Sequence, residues 1–208
     1  MLPTLIEPQT ERGAPAPMDA VPREYLWTVD AFCRVAEAGV FGEPSLAELV
    51  RGKIIQHPGQ TPLHAGLTGH IAQRLRDALK PCFMVREHKP VNISQDTEPN
   101  VDVSVIAGHR SDFRERHPGP AEAALLVEVA DSSVAYDTGD KALLYAQSDI
   151  ADYWVVLAQE GALLLHRDPT ADGYVSVTRL EGNGGSVSPL AASDVSLSVH
   201  DLLSLAER

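Results

Sequence analysis

Two acidic residues interrupt short apolar segments of the sequence. Asp102 lies within VDVSVI, and Glu128 lies within LLVEVA. Because side chains alternate along a strand, the flanking valines share one face and each acid lies on the opposite face. If the two strands are neighbours, the carboxylates can face one another, and such a partly buried pair needs a cation to stay ionised. Oxygen ligands of this kind suit Mg²⁺ or Mn²⁺, so the pattern indicates a divalent-metal site.

A lysine follows the second acid on a helix that we predict from about residue 138 to residue 147. Lys141 lies near the first turn of this helix. From there it can reach the end of the strand, neutralise a phosphoryl oxygen and help to lower the pKa of a metal-bound water. Asp137 and Asp140 flank it, and we expect them to cap and charge the helix start. Each of these residues could equally be a solvated side chain, and spacing alone leaves both interpretations open.

Hydrophobic periodicity predicts a mixed α/β domain, with one central sheet and helices packed on its faces. A helix is predicted over 28–38, with Thr28 as N-cap and Gly39 as its end, and another over 63–79 after Thr61-Pro62. The tail SLSVHDLLSLAE predicts a closing strand and a helix capped by Ser198, and residues 182–194 are predicted as a loop. The predicted strands are 49–56, CFMVREH, VDVSVI, ALLVEVA, DYWVVL, GALLLHR and YVSVTRL.

Length and charge limit the classes of protein that fit. A chain of 208 residues suits one domain, which we place at residues 25–208 after a Pro-rich, polar and flexible leader over 1–24. The leader lacks the features of a signal peptide and no apolar run could span a membrane, so we expect a cytoplasmic protein. Cys33 and Cys82 are too few for a disulfide scaffold or a zinc site. The net charge of −12 argues against a general nucleic-acid binder.

The segment LLVEVADSSVAYDTGDKALLYAQSDIADYWVVL resembles the signature block of the Uma-type restriction endonuclease family, a bacterial branch of the PD-(D/E)XK nuclease superfamily. The resemblance extends over about Trp27 to Asp168, through WTVDAFCRVAEAGVFG, AELVRGKIIQHP, PLHAGLTGHIAQRL and EPNVDVSVI. It implies a restriction-endonuclease-like core, with a mixed central β-sheet flanked by helices. It also implies hydrolysis of phosphodiester bonds, in DNA, with Mg²⁺ or Mn²⁺, by a homodimer that cuts both strands.

The resemblance also assigns roles to individual residues. Asp102 matches the acid of the first family element, Glu128 matches the acid of the second, and both would hold the metal. Lys141 matches the lysine that this family is thought to supply from the following helix. Glu48 matches an acid ahead of the first strand. His64 matches a histidine at the start of the preceding helix, where a contact with the sheet edge is an equally open role.

Two positions, Val101 and Lys53, depart from the family pattern, and Ala130 departs from that of the wider superfamily. Val101 replaces a proline, and Ala130 stands where the superfamily usually has its lysine. The family's Gly-Glu pair is Gly52-Lys53 in this chain. If this position faces the metal crevice, Lys53 would repel the cation and lower metal affinity. The other possibility is that Lys53 meets a substrate phosphate.

Three functions are compatible with these observations. The first is a divalent-metal-dependent endonuclease. The second is a catalytically weak or inactive nuclease-fold module that acts through protein–protein contacts, which the net charge and Lys53 both favour. The third is a serine hydrolase using Ser132 or Ser133 with a histidine, although the sequence lacks a Gly-x-Ser-x-Gly elbow.

Overall fold

A computed structural model describes residues 24–42, 47–79, 81 and 83–205. All but the last residue of the predicted leader, together with Cys82, therefore lie outside the described residues. Within the described part of the chain, no helix is long and apolar enough to cross a membrane.

A six-stranded mixed sheet forms the centre of the fold, as the sequence pattern predicts. Its strands follow one another in chain order, and all neighbours are antiparallel except the parallel pair in the middle. That parallel pair, Ala123–Ala130 and Asp152–Leu157, is connected by the helical segment that carries Lys141, as a crossover requires. The strands are β3 (Phe83–Pro90), β4 (Asn100–Ala107), β5 (Ala123–Ala130), β6 (Asp152–Leu157), β7 (Ala162–Thr170) and β8 (Gly173–Glu181).

Helices cover both faces of this sheet. Helix α2 (Pro62–Leu79) packs its buried leucines and Ile71 against one face, where Val103, Val127 and Trp154 complete the core. The helix begins as predicted, because Thr61 Oγ1 accepts a hydrogen bond from the His64 N–H at 3.1 Å. Helix α1 (Val29–Glu37) and the terminal helix α5 (Val199–Leu203) also begin at their predicted caps, Thr28 and Ser198.

A β-hairpin replaces the single strand predicted over 49–56. It consists of β1 (Ala47–Val50) and β2 (Lys53–Gln56), and its two turn residues, Arg51 and Gly52, have φ angles of 51° and 73°. Two successive residues in the left-handed region are typical of the tight turns that reverse a hairpin. The correction matters for the site, because Glu48 lies within β1 and not ahead of the first strand.

The helical segment after β5 begins earlier than predicted and is irregular. It consists of α3 (Val134–Tyr136), a π-helical turn over Asp137–Lys141, and α4 (Ala142–Gln147). Tyr153 Oη donates to the Asp137 carbonyl at 2.8 Å, which satisfies an oxygen at the wider turn. The predicted loop over 182–194 is also partly structured: it holds β9 (Ser186–Val187), which pairs with β10 (Leu197–Ser198), and a short 3₁₀ turn.

Candidate active site

Asp102 and Glu128 lie side by side on β4 and β5, as predicted if the strands are neighbours. The regular pairing of the two strands ends at Val103 and Val127. Beyond this pair, the Asp102 N–H donates to Glu128 Oε2 at 3.2 Å, and the Val129 N–H donates to Asp102 Oδ2 at 2.8 Å. Each carboxylate therefore accepts a hydrogen bond from the main chain of the opposite strand. The two acids are fixed in place by these bonds, which also satisfy main-chain donors at the end of the ladder.

Lys141 lies between two carboxylates. Its Nζ is 3.0 Å from Glu128 Oε1 and 3.4 Å from Glu48 Oε2, and it also donates to the Asn100 carbonyl at 3.2 Å. Tyr145 Oη donates a further bond to Glu128 Oε1 at 2.9 Å. Because the lysine side chain is only 6% exposed, this ion pair is shielded from solvent. The helix after β5 thus brings Lys141 to Glu128, as proposed from the sequence.

Glu48 reaches the same place from the hairpin. Its Oε1 accepts a hydrogen bond from Tyr136 Oη and lies beside His57 Nε2, each at 2.9 Å, and its Oε2 accepts from the Asn100 N–H at 3.0 Å. Sequence reasoning missed His57 and Tyr136. His57 could have been found only from the hairpin register, in which Ala47 pairs with Gln56 and the next residue lies beside Glu48.

Two imidazoles approach Asp102 from the other side. His64 Nε2 on α2 is 3.2 Å from Asp102 Oδ1, and His88 Nδ1 on β3 is 3.5 Å from the same oxygen. The structure therefore brings His64 to the candidate site, where its role had been left open. His88 was missed, because nothing in the apolar pattern around β3 distinguishes it.

The ionisation of these groups follows from burial and from their partners. Burial acts to raise the pKa of both Glu48 and Asp102, but their partners outweigh it. Lys141, His57 and Tyr136 lower the pKa of Glu48 to about 2, and hydrogen bonds from the two imidazoles hold the pKa of Asp102 well below its ordinary value.

Glu128 and Lys141 respond differently. Complete burial raises the pKa of Glu128 well above its ordinary value, and the repulsion of the neighbouring acids adds to this effect. The pKa of Lys141 is also raised, since the attraction of Glu128, Glu48 and the other acids outweighs its burial. Burial thus favours the neutral form of Glu128, whereas the surrounding acids favour the charged form of Lys141.

These residues line an open cleft with a cavity of about 100 Å³. Asp137 lines it too and is buried, and its carboxylate accepts a hydrogen bond from Ser133 Oγ. This corrects the expectation that Asp137 only caps the helix, whereas Asp140 is exposed. The described lining has one lysine and three histidines (Lys141, His57, His64 and His88) against five carboxylates (Glu48, Asp102, Glu128, Asp131 and Asp137).

Two sequence hypotheses lose support from these positions. Lys53 lies on the exposed side of the hairpin, pairs with Glu24 at 3.4 Å and is not among the residues that line the cleft. It therefore does not place a positive charge beside the two acids. For a serine nucleophile, the partner of Ser133 is the carboxylate of Asp137 and not a histidine.

Comparisons with known proteins find a family match and a similar solved structure. The model of the Uma2 family, described as "Putative restriction endonuclease", matches residues 29–200. A crystal structure described as "a putative nuclease belonging to DUF820 from Anabaena variabilis ATCC 29413" is similar with a TM-score of 0.67. The alignment covers 85% of this chain and 97% of the other, with 18% identity, so this likeness concerns the fold. No curated protein matches the chain.

Proposed function

The protein belongs to the Uma2 family of restriction-endonuclease-like proteins, and from this premise we propose that it is a divalent-metal-dependent endonuclease that hydrolyses phosphodiester bonds in DNA. The observation that carries the proposal is the juxtaposition of Asp102, Glu128 and Lys141 at one end of the β4–β5 ladder, within an open cleft. Two acids that can hold a metal ion, with a lysine beside one of them, are the chemical groups that metal-dependent phosphodiester hydrolysis uses.

The donor set of the cleft fits a divalent cation. Five carboxylates against one lysine would repel a phosphodiester anion unless a cation were also present. Asp102 and Glu128 would hold Mg²⁺ or Mn²⁺, with Lys141 beside Glu128. A bound cation would supply Lewis-acid stabilisation of the phosphoryl oxygens.

Lys141 has the role of stabilising the charge that develops on the phosphoryl group. Its raised pKa keeps it charged, and its burial strengthens each charge interaction that it makes. Glu48 contacts Lys141 through Oε2 and His57 through Oε1, so we assign it as a positioning residue for both side chains. His64 orients Asp102 through their 3.2 Å contact.

Two further features belong to this proposal. We propose that residues 25–208 form one nuclease domain and that it acts as a homodimer, since one catalytic unit of this type cuts one strand. Sedimentation velocity would test the second point. A dimer mass supports it, and a monomer that linearises plasmid DNA in one event contradicts it.

Plasmid nicking tests the function directly. We expect the parent protein to nick supercoiled plasmid with Mg²⁺ or Mn²⁺, and to stop when EDTA is added. Asp102→Asn should remove the activity, whereas the control Asp140→Asn, which changes an exposed acid of the neighbouring turn, should retain it. A parent that nicks in EDTA, or an active Asp102→Asn protein, would show that the metal site is wrongly assigned.

One observation favours an alternative function, an inactive module that acts through protein contacts. Lys141 forms ion pairs with both Glu128 and Glu48, so the protein itself supplies a counter-charge for these two buried acids. Calorimetry with Mn²⁺ distinguishes the two functions. Binding that Asp102→Asn removes supports the nuclease, and a folded parent that neither binds Mn²⁺ nor cuts DNA supports the inactive module.

A further inference from the structure

We propose that His64, His88 and Asp102 form a binding site for a transition-metal cation, with a donor set distinct from that of the Asp102–Glu128 pair. One ligand atom of each residue lies within 4.8 Å of the other two. The inference deepens the proposed nuclease function by assigning the class of metal that the cleft selects. A catalytic role for the bound metal rests on the proposed nuclease function, but metal binding can be measured separately from cleavage.

The three donors already converge on one point. His64 Nε2 and His88 Nδ1 approach the same carboxylate oxygen, Asp102 Oδ1, at 3.2 and 3.5 Å. The two rings are stacked at an interplanar angle of 21° with centroids 6.1 Å apart. The other oxygen of this carboxylate, Asp102 Oδ2, accepts a hydrogen bond from the Val129 N–H. This bond fixes the orientation of Oδ1, which faces the imidazoles. Small shifts of two side chains are enough to place all three donors around one ion.

The backbone at His88 gives a second, independent reason. His88 has a φ of 46°, although it lies inside strand β3. In the pairing of β3 with β4, Glu87 lies opposite Val103 and Lys89 lies opposite Val101, but His88 between them forms no regular pair. Left-handed backbone is strained at a non-glycine residue and is found preferentially at functional sites. The distortion thus occurs at the residue of β3 that lies opposite Asp102, whose imidazole contacts that carboxylate.

The identity of the donors determines the class of metal. Mg²⁺ prefers oxygen ligands in an octahedral arrangement, whereas imidazole suits Zn²⁺, Ni²⁺, Co²⁺ and other transition metals. Two imidazoles and one carboxylate, with other positions open, are typical of reactive transition-metal sites. The Asp102–Glu128 pair alone offers only oxygen. Including His64 and His88 therefore shifts the preference of the cleft from Mg²⁺ toward transition metals.

The site is also accessible to an ion from solvent. The side chains of His64, His88 and Asp102 are 15%, 30% and 16% exposed, and all three line the cleft. A cation could thus enter with part of its hydration shell, which would fill the coordination positions that the protein leaves open. Gln60 lies beside His88, with its side-chain nitrogen 3.1 Å from Nδ1, at the same part of the lining.

Metal titration of the full chain, dialysed against a chelator, tests the inference. We expect Ni²⁺ and Co²⁺ to bind more tightly than Mg²⁺ by calorimetry, and Co²⁺ to show visible ligand-field absorption that reports nitrogen ligands. His88→Gly removes the imidazole while permitting the left-handed backbone, so the protein should remain folded. It should lower Ni²⁺ affinity by at least the roughly 10–100-fold that loss of an outer-shell partner produces, and change Mg²⁺ affinity less. His64→Ala should act similarly.

His200→Ala is the matched control, since this imidazole is 66% exposed on α5. It should leave Ni²⁺ affinity unchanged. The inference is overturned if Ni²⁺ binds no more tightly than Mg²⁺, or if a thermally stable His88→Gly protein binds Ni²⁺ as the parent does. The nuclease proposal fails separately, when a parent that binds metal cuts no DNA with any of these ions.

Discussion

At the scale of single residues, the two central acids have a structural duty besides the proposed chemical one. Asp102 Oδ2 accepts from the Val129 N–H, and Glu128 Oε2 accepts from the Asp102 N–H. A substitution that removes either carboxylate entirely leaves a main-chain donor without its partner. An amide of the same shape keeps an oxygen for that donor and removes the charge.

This distinction gives a first prediction. Asp102→Ala should lower the free energy of unfolding by about 1–3 kcal/mol relative to Asp102→Asn, because burying an unpaired N–H costs that amount. Both variants should lose metal-dependent cleavage. Urea unfolding together with plasmid nicking measures the two effects. Equal stability of the two variants would mean that the Val129 N–H finds another acceptor, and the structural duty assigned to Asp102 would be wrong.

Lys141 carries the second prediction. Lys141→Met should lower the free energy of unfolding by about 3–5 kcal/mol near neutral pH, since it leaves buried carboxylates without a counter-charge. Turnover at saturating metal should fall by roughly 10²–10³, as for other lost contacts to transition-state charge. The control is Lys89→Met, an exposed lysine on β3.

A double substitution separates the two roles of the lysine. Adding Glu128→Gln to Lys141→Met removes one uncompensated acid and should restore part of the lost stability without restoring cleavage. A double variant less stable than the sum of the single changes would contradict the ion pair.

At the scale of elements, the β1–β2 hairpin positions Glu48 and His57, and its turn depends on Gly52. This glycine has a φ of 73°, and a Cβ built on it would lie 2.7 Å from Leu26 Cβ. Gly52→Ala should therefore lower the free energy of unfolding by about 1–3 kcal/mol. Gly139→Ala is the matched control, because a Cβ there meets nothing within 4 Å, and its effect should be neutral or stabilising. Thermal denaturation of both variants checks the prediction.

The hairpin also gives the protein a pH-dependent contribution to stability through Glu48. Its pKa of about 2 in the folded protein lies below the ordinary value of 4.5. The carboxylate thus contributes about 3 kcal/mol above pH 4.5, and this contribution is lost as the pH falls through about 2. Glu48→Gln should be less stable than the parent at about pH 6, and the gap should narrow at about pH 3. Urea unfolding at the two pH values measures it, with the exposed Glu37→Gln as control. A gap that stays constant would contradict the lowered pKa.

The elements also show what could be predicted from the sequence. The strands that carry Asp102 and Glu128 are recognisable, because apolar alternation is a local signal. A helix that carries Lys141 is also predicted, but its start at Val134 and its π-helical turn are not. The hairpin turn at Arg51-Gly52 was missed, since it contains none of the residue pairs that usually mark such turns. The contact of His88 with Asp102 depends on how β3 pairs with β4, which places the two residues opposite each other, and the local pattern around His88 does not encode that pairing.

At the scale of the whole molecule, the net charge of −12 and the proposed substrate oppose each other. DNA affinity normally falls with salt, with a slope near −0.9 per neutralised phosphate on a plot of log K against log salt. The described cleft offers one lysine and three histidines as phosphate partners, so the slope should be no steeper than about −4. Screening of the repulsion between the acidic surface and DNA makes the slope shallower still.

Fluorescence anisotropy with the parent protein and a duplex whose backbone resists hydrolysis measures this slope without cleavage, at fixed Mg²⁺ and between about 50 and 200 mM salt. A shallow slope means that the cleft contacts few phosphates and that the bound cation accounts for much of the attraction to DNA. A slope of about −6 or steeper requires a basic surface outside the cleft. It would then be the segregation of charge over the whole molecule, and not the cation in the cleft, that overcomes the repulsion.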